Sequence, residues 1–233
     1  MIVAIHQPQY LPWLGYFDKM DQADAFCHLD NVQFKKNEWQ NRNRIRTADG
    51  RQWLTVPVFH RFPQSIDAVE IDNRKPWAKK HLRALAVHYG GAPFFDDHIP
   101  FFEETYSRHW RRLADLNIHI IDYLRDALGM GDKSAVRASD LSLTNDDPTG
   151  RLIDICRHFG ADAYLSGQDG ARYMDMAAFQ QQGLDVMFQA YPHPAYRQRY
   201  PGFESHLSVV DLLFNHGPDS MAVIRNGRGG RDR

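Results

Sequence analysis

A histidine and a glutamine follow the first apolar segment of the chain directly, in the stretch AIHQPQYLPWLGYFDKM. Histidine exchanges a proton near neutral pH and glutamine both donates and accepts hydrogen bonds, so His6 is a candidate catalytic base and Gln7 a candidate binding group. Pro8 favours an extended backbone at Gln7, which fixes the path of the loop. Tyr10 is a further candidate for substrate binding. The alternative is an aromatic plug of the core, in which His6 is only hydrogen-bonded.

Amide and guanidinium side chains dominate a second stretch, LDNVQFKKNEWQNRNRIR, over residues 29–46. Such groups bind hydroxyl, carboxylate or phosphate groups through oriented hydrogen bonds, which is typical of a site for a sugar nucleotide or an acyl-adenylate. A solvated loop is the alternative. Asp30 is the candidate catalytic carboxylate of this stretch, as a group that orients the histidine or the substrate. The candidate binding residues are Asn31, Gln33, Asn41, Arg42, Asn43 and Arg44.

A glycine-containing turn in the stretch YLSGQDGARYM is the third candidate. Glycine lets the backbone approach a ligand closely, and the start of a helix can bind an anion. The stretch matches neither the P-loop nor the GxGxxG fingerprint, so its letters alone predict no ATP or nicotinamide site. We assign Ser166, Gly167 and Gly170 to substrate binding and Arg172 to pairing with an anion. An ordinary strand-to-helix turn is the alternative.

The histidines and cysteines have no spacing that predicts a metal site. The sequence contains no HExxH motif, and His28 and Asp30 would share one strand face without a third ligand. Cys27 and Cys156 lack CxxC spacing and lie in apolar stretches, which favours reduced core thiols in a cytoplasmic protein. We therefore predict neither a metal nor a nicotinamide cofactor.

The composition indicates a folded protein without a strong overall charge. Among 233 residues, 43% are hydrophobic and 24% charged, and the formal net charge is -1. No global field therefore attracts nucleic acid or an anionic membrane. The chain has neither a signal-peptide pattern at its start nor an apolar run of about 18 residues that could span a membrane. We expect a cytoplasmic protein that binds no nucleic acid and does not insert into a membrane.

An α/β fold would position these residues. The apolar segment MIVAI and residues 23–30 are predicted strands, and residues 11–20 a short helix that begins at Pro12. Residues 52–58 and 65–71 alternate in polarity and predict a β-hairpin.

Helical periodicity dominates the middle of the chain, and α/β alternation returns after it. The stretch NRKPWAKKHLRALAVHYGG predicts a capped helix, and apolar residues from Ile99 to Leu128 predict one longer helix. A helix from Asp147 to Gly160 is followed by the strand AYLSG, the helix MDMAAFQQQG and the strand LDVMFQAY.

The pattern predicts a single α/β domain over residues 1–224, with a small, mostly parallel sheet and flanking helices. A helical segment at about 74–130 and the short hairpin are inserted into it. Residues 225–233 are rich in Gly and Arg and are expected to form a flexible tail. Because open parallel sheets bind ligands at the carboxyl ends of their strands, the three candidate stretches should meet at that edge.

Five stretches, in this order and over essentially the whole chain, resemble the WbqC-like family of bacterial proteins: AIHQPQYLPWLGYFDKM, LDNVQFKKNEWQNRNRI, WLTVPV, YLSGQDGARYM and LSVVDLLFNHG. The resemblance implies a role in O-antigen or other surface-polysaccharide biosynthesis, through acyl or aminoacyl transfer to an amino sugar. The first stretch is also distantly similar to the HIGH-type nucleotidyltransferases, which makes a Rossmann-like or a HUP-like core the alternatives. The HxGH signature of those enzymes is absent.

Our leading hypothesis is a transferase that forms an amide on a nucleotide-linked amino sugar. His6 would act as general base, Asn41 and Asn43 would stabilise the oxyanion, and Arg42, Arg44 and Arg172 would bind the diphosphate. The alternatives are an ATP-dependent nucleotidyl or adenylyl transferase and a non-catalytic sugar- or nucleotide-binding protein. The cofactor is open, with ATP or an activated acyl or aminoacyl donor as options. The stretch LSVVDLLFNHG could pack in the core or against a second copy in a homo-oligomer.

Overall fold

Nine strands and eight helices make up the part of the chain that the structure, a computed structural model, describes, which is residues 1–228. In chain order they are β1 (Ile2–His6), α1 (Leu14–Gln22), β2 (Ala25–His28), β3 (Arg42–Thr47), β4 (Gly50–Thr55), β5 (Val58–Phe59), β6 (Glu70–Ile71), α2 (Trp77–Tyr89), α3 (Phe95–Ser107), α4 (Leu113–Ala127), β7 (Ser134–Arg137), α5 (Pro148–His158), β8 (Ala163–Ser166), α6 (Met176–Gln181), β9 (Asp185–Phe188), α7 (Val209–His216) and α8 (Ser220–Asn226).

Five of these strands form a parallel sheet in the order β7-β2-β1-β8-β9. The predicted α/β class, with a parallel sheet and flanking helices, is therefore confirmed. From β1 the chain first adds β2 and β7 on one side and then β8 and β9 on the other. The strand order consequently reverses between β1 and β8, and such a switch point is where doubly wound sheets bind ligands.

The sheet is covered on both faces, which explains the continuous apolar runs of its strands. Val3 and Ile5 of β1 pack into one hydrophobic cluster together with Cys27 and Tyr164. Ala4, between them in the sequence, packs into the other cluster, because successive side chains of a strand point to opposite faces.

The β-hairpin lies earlier in the chain than the sequence predicted. β3 pairs with β4 in an antiparallel register from Arg42–Thr55 to Thr47–Gly50. The predicted partners retain only the two-residue pair of β5 with β6. The sequence of β3 resembles a polar loop. Its buried alternate positions include Asn43 as well as Ile45, and because asparagine is polar, the alternation of apolar and polar residues typical of a strand is absent.

The single long helix predicted from Ile99 to Leu128 is two helices, α3 and α4. Between them Arg108 and Arg112 have extended backbones. The backbone around this break bonds to the β6 region: Ile71 N donates to Arg111 O at 3.0 Å and Leu113 N to Val69 O at 3.0 Å. These bonds interrupt a helical pattern that the apolar spacing alone would continue. Helix α1 likewise begins at Leu14 rather than at Pro12.

The C-terminal helices pack onto the rest of the domain. The apolar side chains of α7 are fully buried within this chain, so the stretch LSVVDLLFNHG packs in the core. Helix α8 ends at Asn226, two residues beyond the predicted domain boundary. Arg225 and Arg228 form ion pairs with Asp21 of α1. The predicted tail beyond Arg228 lies outside the described residues. Within residues 1–228 no helix is long and apolar enough to cross a membrane.

Candidate functional site

A cleft of about 760 Å³ opens at the carboxyl ends of the parallel strands, across the switch point between β1 and β8. Its volume lies in the usual range for small-molecule sites. The residues lining it include His6, Gln7, Trp13, Lys19, Gln33, Lys35, Arg151, Tyr164, Gly167, Gln168, Asp169, Gly170, Tyr173, Gln189 and Tyr191. All three candidate stretches of the sequence therefore contribute to one site, the second through Leu29, Val32, Gln33 and Lys35.

His6 ends β1 and faces this cleft. Its Nδ1 donates a hydrogen bond to the carbonyl oxygen of Gln7 at 3.1 Å, so Nε2 is left as the nitrogen with a lone pair. Burial, together with the nearby charge of Lys19, lowers the pKa of His6 to about 3. The imidazole is consequently neutral throughout the physiological pH range, and its Nε2 can accept a hydrogen bond.

The two glutamines predicted as binding residues, Gln7 and Gln33, both line the cleft, but they differ in how many of their hydrogen bonds are made within the protein. The side-chain oxygen of Gln7 accepts from Gln40 Nε2 at 2.7 Å, which fixes the amide and leaves its nitrogen available as a donor. The amide of Gln33 is used within the protein, since it donates to Phe34 O at 2.8 Å and accepts from Gln64 N at 3.2 Å. Of the two, Gln7 is therefore the stronger candidate for contacting a ligand.

The turn after β8 brings its backbone close to the cleft. A Cβ at Gly170 would lie 2.1 Å from Ser166 Oγ, so no larger residue fits there without displacement. A Cβ at Gly167 would meet nothing within 4 Å. Ser166 is fully buried beneath this turn. Arg172 is exposed and pairs with Asp169 at 3.1 Å, so its charge is already balanced by a carboxylate of the turn.

Asp30 and Tyr10 have partners inside the protein and do not line the cleft. Both carboxylate oxygens of Asp30 accept from Ser139, at 2.9 Å from its backbone N and 2.8 Å from its hydroxyl. Tyr10 is fully buried, with its hydroxyl 2.8 Å from His81 Nδ1 and 2.5 Å from the Tyr106 hydroxyl. The structure thus gives no hydrogen bond from Asp30 that could orient His6.

Two amides of the second stretch, Gln40 and Asn43, bind the protein's own opening stretch. Asn43 Nδ2 donates to Leu11 O at 2.7 Å, where the backbone has a φ of 47°, and Gln40 fixes Gln7. Tyr10 N donates to Trp39 O at 3.0 Å. Asn41 donates within the hairpin region to Val56 O at 3.0 Å. Gln40 and Asn43 thus hold the loop that follows His6, and neither they nor Asn41 line the cleft.

Arg42, Arg44 and Asn31 also lie outside the cleft lining. The guanidinium of Arg42 lies 4.3 Å from the ring centre of Trp53, and that of Arg44 5.4 Å from Trp39. Arg44 also donates to His206 O at 3.1 Å. Asn31, after β2, is half-buried. Two of the three arginines expected to bind a diphosphate, Arg42 and Arg44, thus lie against the tryptophans of the hairpin region.

Sequence reasoning missed several residues of the cleft, of which Lys19 is the most notable. Lys19 lies on α1, and its Nζ donates to Ile5 O at 2.8 Å. Burial lowers its pKa from 10.5 to about 7. The helical position looked like packing, so no sequence signal identified it. Gln189, by contrast, follows β9, and the rule on carboxyl ends of strands could have found it.

Neither the cysteines nor a metal-binding cluster among residues 1–228 adds a reactive group to the cleft. Cys27 and Cys156 are free and buried, and burial raises the pKa of each to about 12, which makes them poor nucleophiles at neutral pH. Among residues 1–228, no three side chains of His, Cys, Asp or Glu are grouped so that they could hold a metal ion.

Comparisons with known proteins identify the family. The model of the WbqC-like protein family matches residues 7–223. The chain is 36% identical over 227 residues to "Uncharacterized protein Rv1507c" of Mycobacterium tuberculosis (strain ATCC 25618 / H37Rv), and the match covers 96% of this chain and 97% of that protein. No solved structure matches the chain significantly. The chain therefore belongs to the WbqC-like protein family.

Proposed function

We propose that the cleft binds a nucleotide-linked amino sugar and that the protein transfers an acyl or aminoacyl group to the amine of that sugar. The observation that carries this proposal is the neutral imidazole of His6, with Nε2 as the free nitrogen, at the switch point of the sheet. The location and the volume of the cleft suit a nucleotide-sized ligand. Reduced, buried cysteines agree with a reaction in the cytoplasm.

In the proposed reaction the sugar amine attacks the carbonyl carbon of the acyl donor. A C–N bond forms, and the proton released by the amine passes to His6 Nε2. The bond between the carbonyl carbon and the leaving group then breaks, and the imidazolium returns the proton to that group. Since burial keeps the pKa of His6 at about 3, the imidazole is a weak base that takes the proton only after C–N bond formation has made the nitrogen acidic, and the resulting imidazolium is a strong acid towards the leaving group.

Other cleft residues would bind the substrate. Lys35 and Arg151 line the cleft and would pair with phosphate groups, a role predicted from the sequence for Arg42, Arg44 and Arg172. The rings of Trp13 and Tyr191 lie with centres 5.8 Å apart and provide apolar faces for a base or a sugar. The side-chain nitrogen of Gln7 would donate to a sugar hydroxyl or to the acyl oxygen.

The test is a product assay with a matched control. The purified protein is incubated with nucleotide-linked amino sugars and with acyl or aminoacyl donors, and mass spectrometry detects the amide product. His6→Gln should slow product formation by about 10²- to 10⁴-fold and leave the melting temperature close to that of the wild type. His109→Gln, at an exposed histidine, should change neither. Full activity of His6→Gln would contradict the proposed role of His6.

The second candidate function is ATP-dependent nucleotidyl or adenylyl transfer, which the strand order around the cleft also favours. Thermal-shift measurements separate the two, because a ligand at about 100 times its Kd stabilises a protein by roughly 2.7 kcal/mol. Stabilisation by ATP with release of pyrophosphate would favour this alternative. Binding of nucleotide sugars without any product from the full donor panel would favour a non-catalytic binding protein.

A further inference from the structure

Lys19 lies in the cleft wall as a buried amine without an acidic partner. Its side chain is only 2% exposed, and Nζ donates one hydrogen bond, to the neutral carbonyl of Ile5. The neighbouring carboxylate of Asp18 is paired with Arg228 at 2.5 Å. Within the described residues, no ion pair includes Lys19. A charged ammonium in this position is therefore desolvated without a compensating negative charge.

The two ring side chains beside Lys19 supply no negative charge. His6 on β1 is neutral, and burial raises the pKa of Tyr164 on β8, whose ring centre lies 5.9 Å from Nζ, so that its hydroxyl is also neutral. The other ionisable groups that line the cleft are Lys35, Arg151, Asp169, Tyr173 and Tyr191. Asp169, the carboxylate among these lining residues, pairs with Arg172. Arg151 pairs with the exposed carboxylate of Asp146 at 3.7 Å. Among residues 1–228, Lys19 and Lys35 are therefore the lining amines without an ion-pair partner.

We propose that Lys19 binds an anionic group of the ligand, a phosphate or a carboxylate, and that binding is coupled to the uptake of a proton by Lys19. The proposal rests on the cleft being the ligand site of the proposed function, but not on acyl transfer. The ligand anion would supply the negative charge that this part of the fold does not, and would so keep the proton on Nζ.

The direction in which the ligand Kd changes with pH follows from the lowered pKa of Lys19. Burial lowers the pKa of Lys19 from 10.5 to about 7, so the free protein holds only part of the proton at neutral pH. An adjacent anion raises that pKa again. Binding should therefore take up about half a proton near pH 7 and close to one proton at about pH 8.5. The Kd should change little below about pH 6 and rise by up to about tenfold per pH unit above pH 8.

Isothermal titration calorimetry in buffers of different ionisation enthalpy measures the proton uptake directly. The probes are sulfate and UDP-N-acetylglucosamine, because neither sulfate nor a diphosphate diester changes its charge in the neutral range. Lys19→Met should abolish the proton uptake and the pH dependence of the Kd. Lys35→Met, the same change at an exposed lysine lining the same cleft, should weaken binding but leave the proton count unchanged.

The outcomes separate this inference from the proposed function. Binding of either probe to the wild type without proton uptake, or unchanged uptake in Lys19→Met, overturns the inference, and so does failure of both probes to bind. If Lys19→Met does not fold, Lys19→Arg provides the test, because arginine keeps its charge and should bind without proton uptake. An amide product combined with pH-independent binding contradicts only the role of Lys19. Proton-coupled sulfate binding without any amide product contradicts only the acyl transfer.

Discussion

The cleft and the β3–β4 hairpin region are both rich in polar side chains, but those side chains have different partners. In the hairpin region Asn41 and Asn43 donate hydrogen bonds to backbone carbonyls of the same protein. In the cleft, His6 and Gln7 each use one side-chain polar atom within the protein and keep another for a ligand. Polar composition therefore locates both regions, but the hydrogen bonds already formed decide which of them can bind substrate.

The largest expected effect is the loss of turnover in a cleft variant, His6→Gln. His6→Gln removes the nitrogen that accepts the proton, and loss of a general base typically costs 10²- to 10⁴-fold in rate, so we expect a fall of about that size in turnover. Stability should change little because the Nδ1 bond to a neighbouring carbonyl is local. Product formation is followed by mass spectrometry and stability by urea unfolding. A loss of several kcal/mol in the free energy of unfolding would instead make His6 a structural residue.

Asn43→Ala should show the reverse pattern. Asn43 is fully buried, and it holds the backbone of Leu11 in its left-handed conformation through a 2.7 Å hydrogen bond. Removing the amide leaves the Leu11 carbonyl without this partner, which should lower the free energy of unfolding by about 1–3 kcal/mol. Urea unfolding measures the loss, and calorimetry at a temperature where the variant is folded measures ligand binding. If stability were unchanged and binding were abolished, Asn43 would have to contact the ligand rather than stabilise the loop.

The sequence predicted the edge of the sheet where the site lies better than it predicted the site's members. His6, Gln7 and the turn from Gly167 to Gly170 follow apolar strands, and parallel pairing brings such positions together whatever the details of the loops. Asn43 and Arg44 could not be assigned in the same way. Whether an amide faces a ligand or a backbone carbonyl depends on the path of a distant segment, which local spacing does not determine.

Lys19 and β7 are features of the fold that the sequence pattern did not predict. A lysine on an amphipathic helix usually faces solvent, and only the packing of α1 against β1 places this amine in a cleft wall. β7 contains two apolar residues, Ala135 and Val136, and becomes a strand by pairing with β2 at the sheet edge. Tertiary contacts, rather than local pattern, define both features.

The turn after β8 allows a paired test within the cleft itself. Gly170→Ala places a Cβ 2.1 Å from Ser166 Oγ and should cost about 1–3 kcal/mol through overpacking, whereas the open space at Gly167 should make Gly167→Ala nearly neutral for stability. Thermal unfolding compares the two variants. Adding Ser166→Ala to Gly170→Ala removes the clashing oxygen and should restore part of the loss. Equal destabilisation by both glycine variants would contradict the close approach at Gly170.

The smallest expected effect concerns the arginines of the hairpin region. Arg44 stacks near Trp39 and donates to a backbone carbonyl, so Arg44→Met should leave the affinity of the cleft for UDP-N-acetylglucosamine within about twofold of the wild type. Arg151→Met removes a positive charge from the cleft lining, where Arg151 pairs with the exposed Asp146 at 3.7 Å, and should weaken that affinity by about tenfold, or roughly 1.4 kcal/mol. Calorimetry at low salt, where charge effects are least screened, gives the sharpest contrast. If Arg44→Met weakened binding as much as Arg151→Met, the hairpin region would have to contact the ligand. The hairpin region would then be part of the binding site, and its hydrogen bonds within the protein would not distinguish it from the cleft.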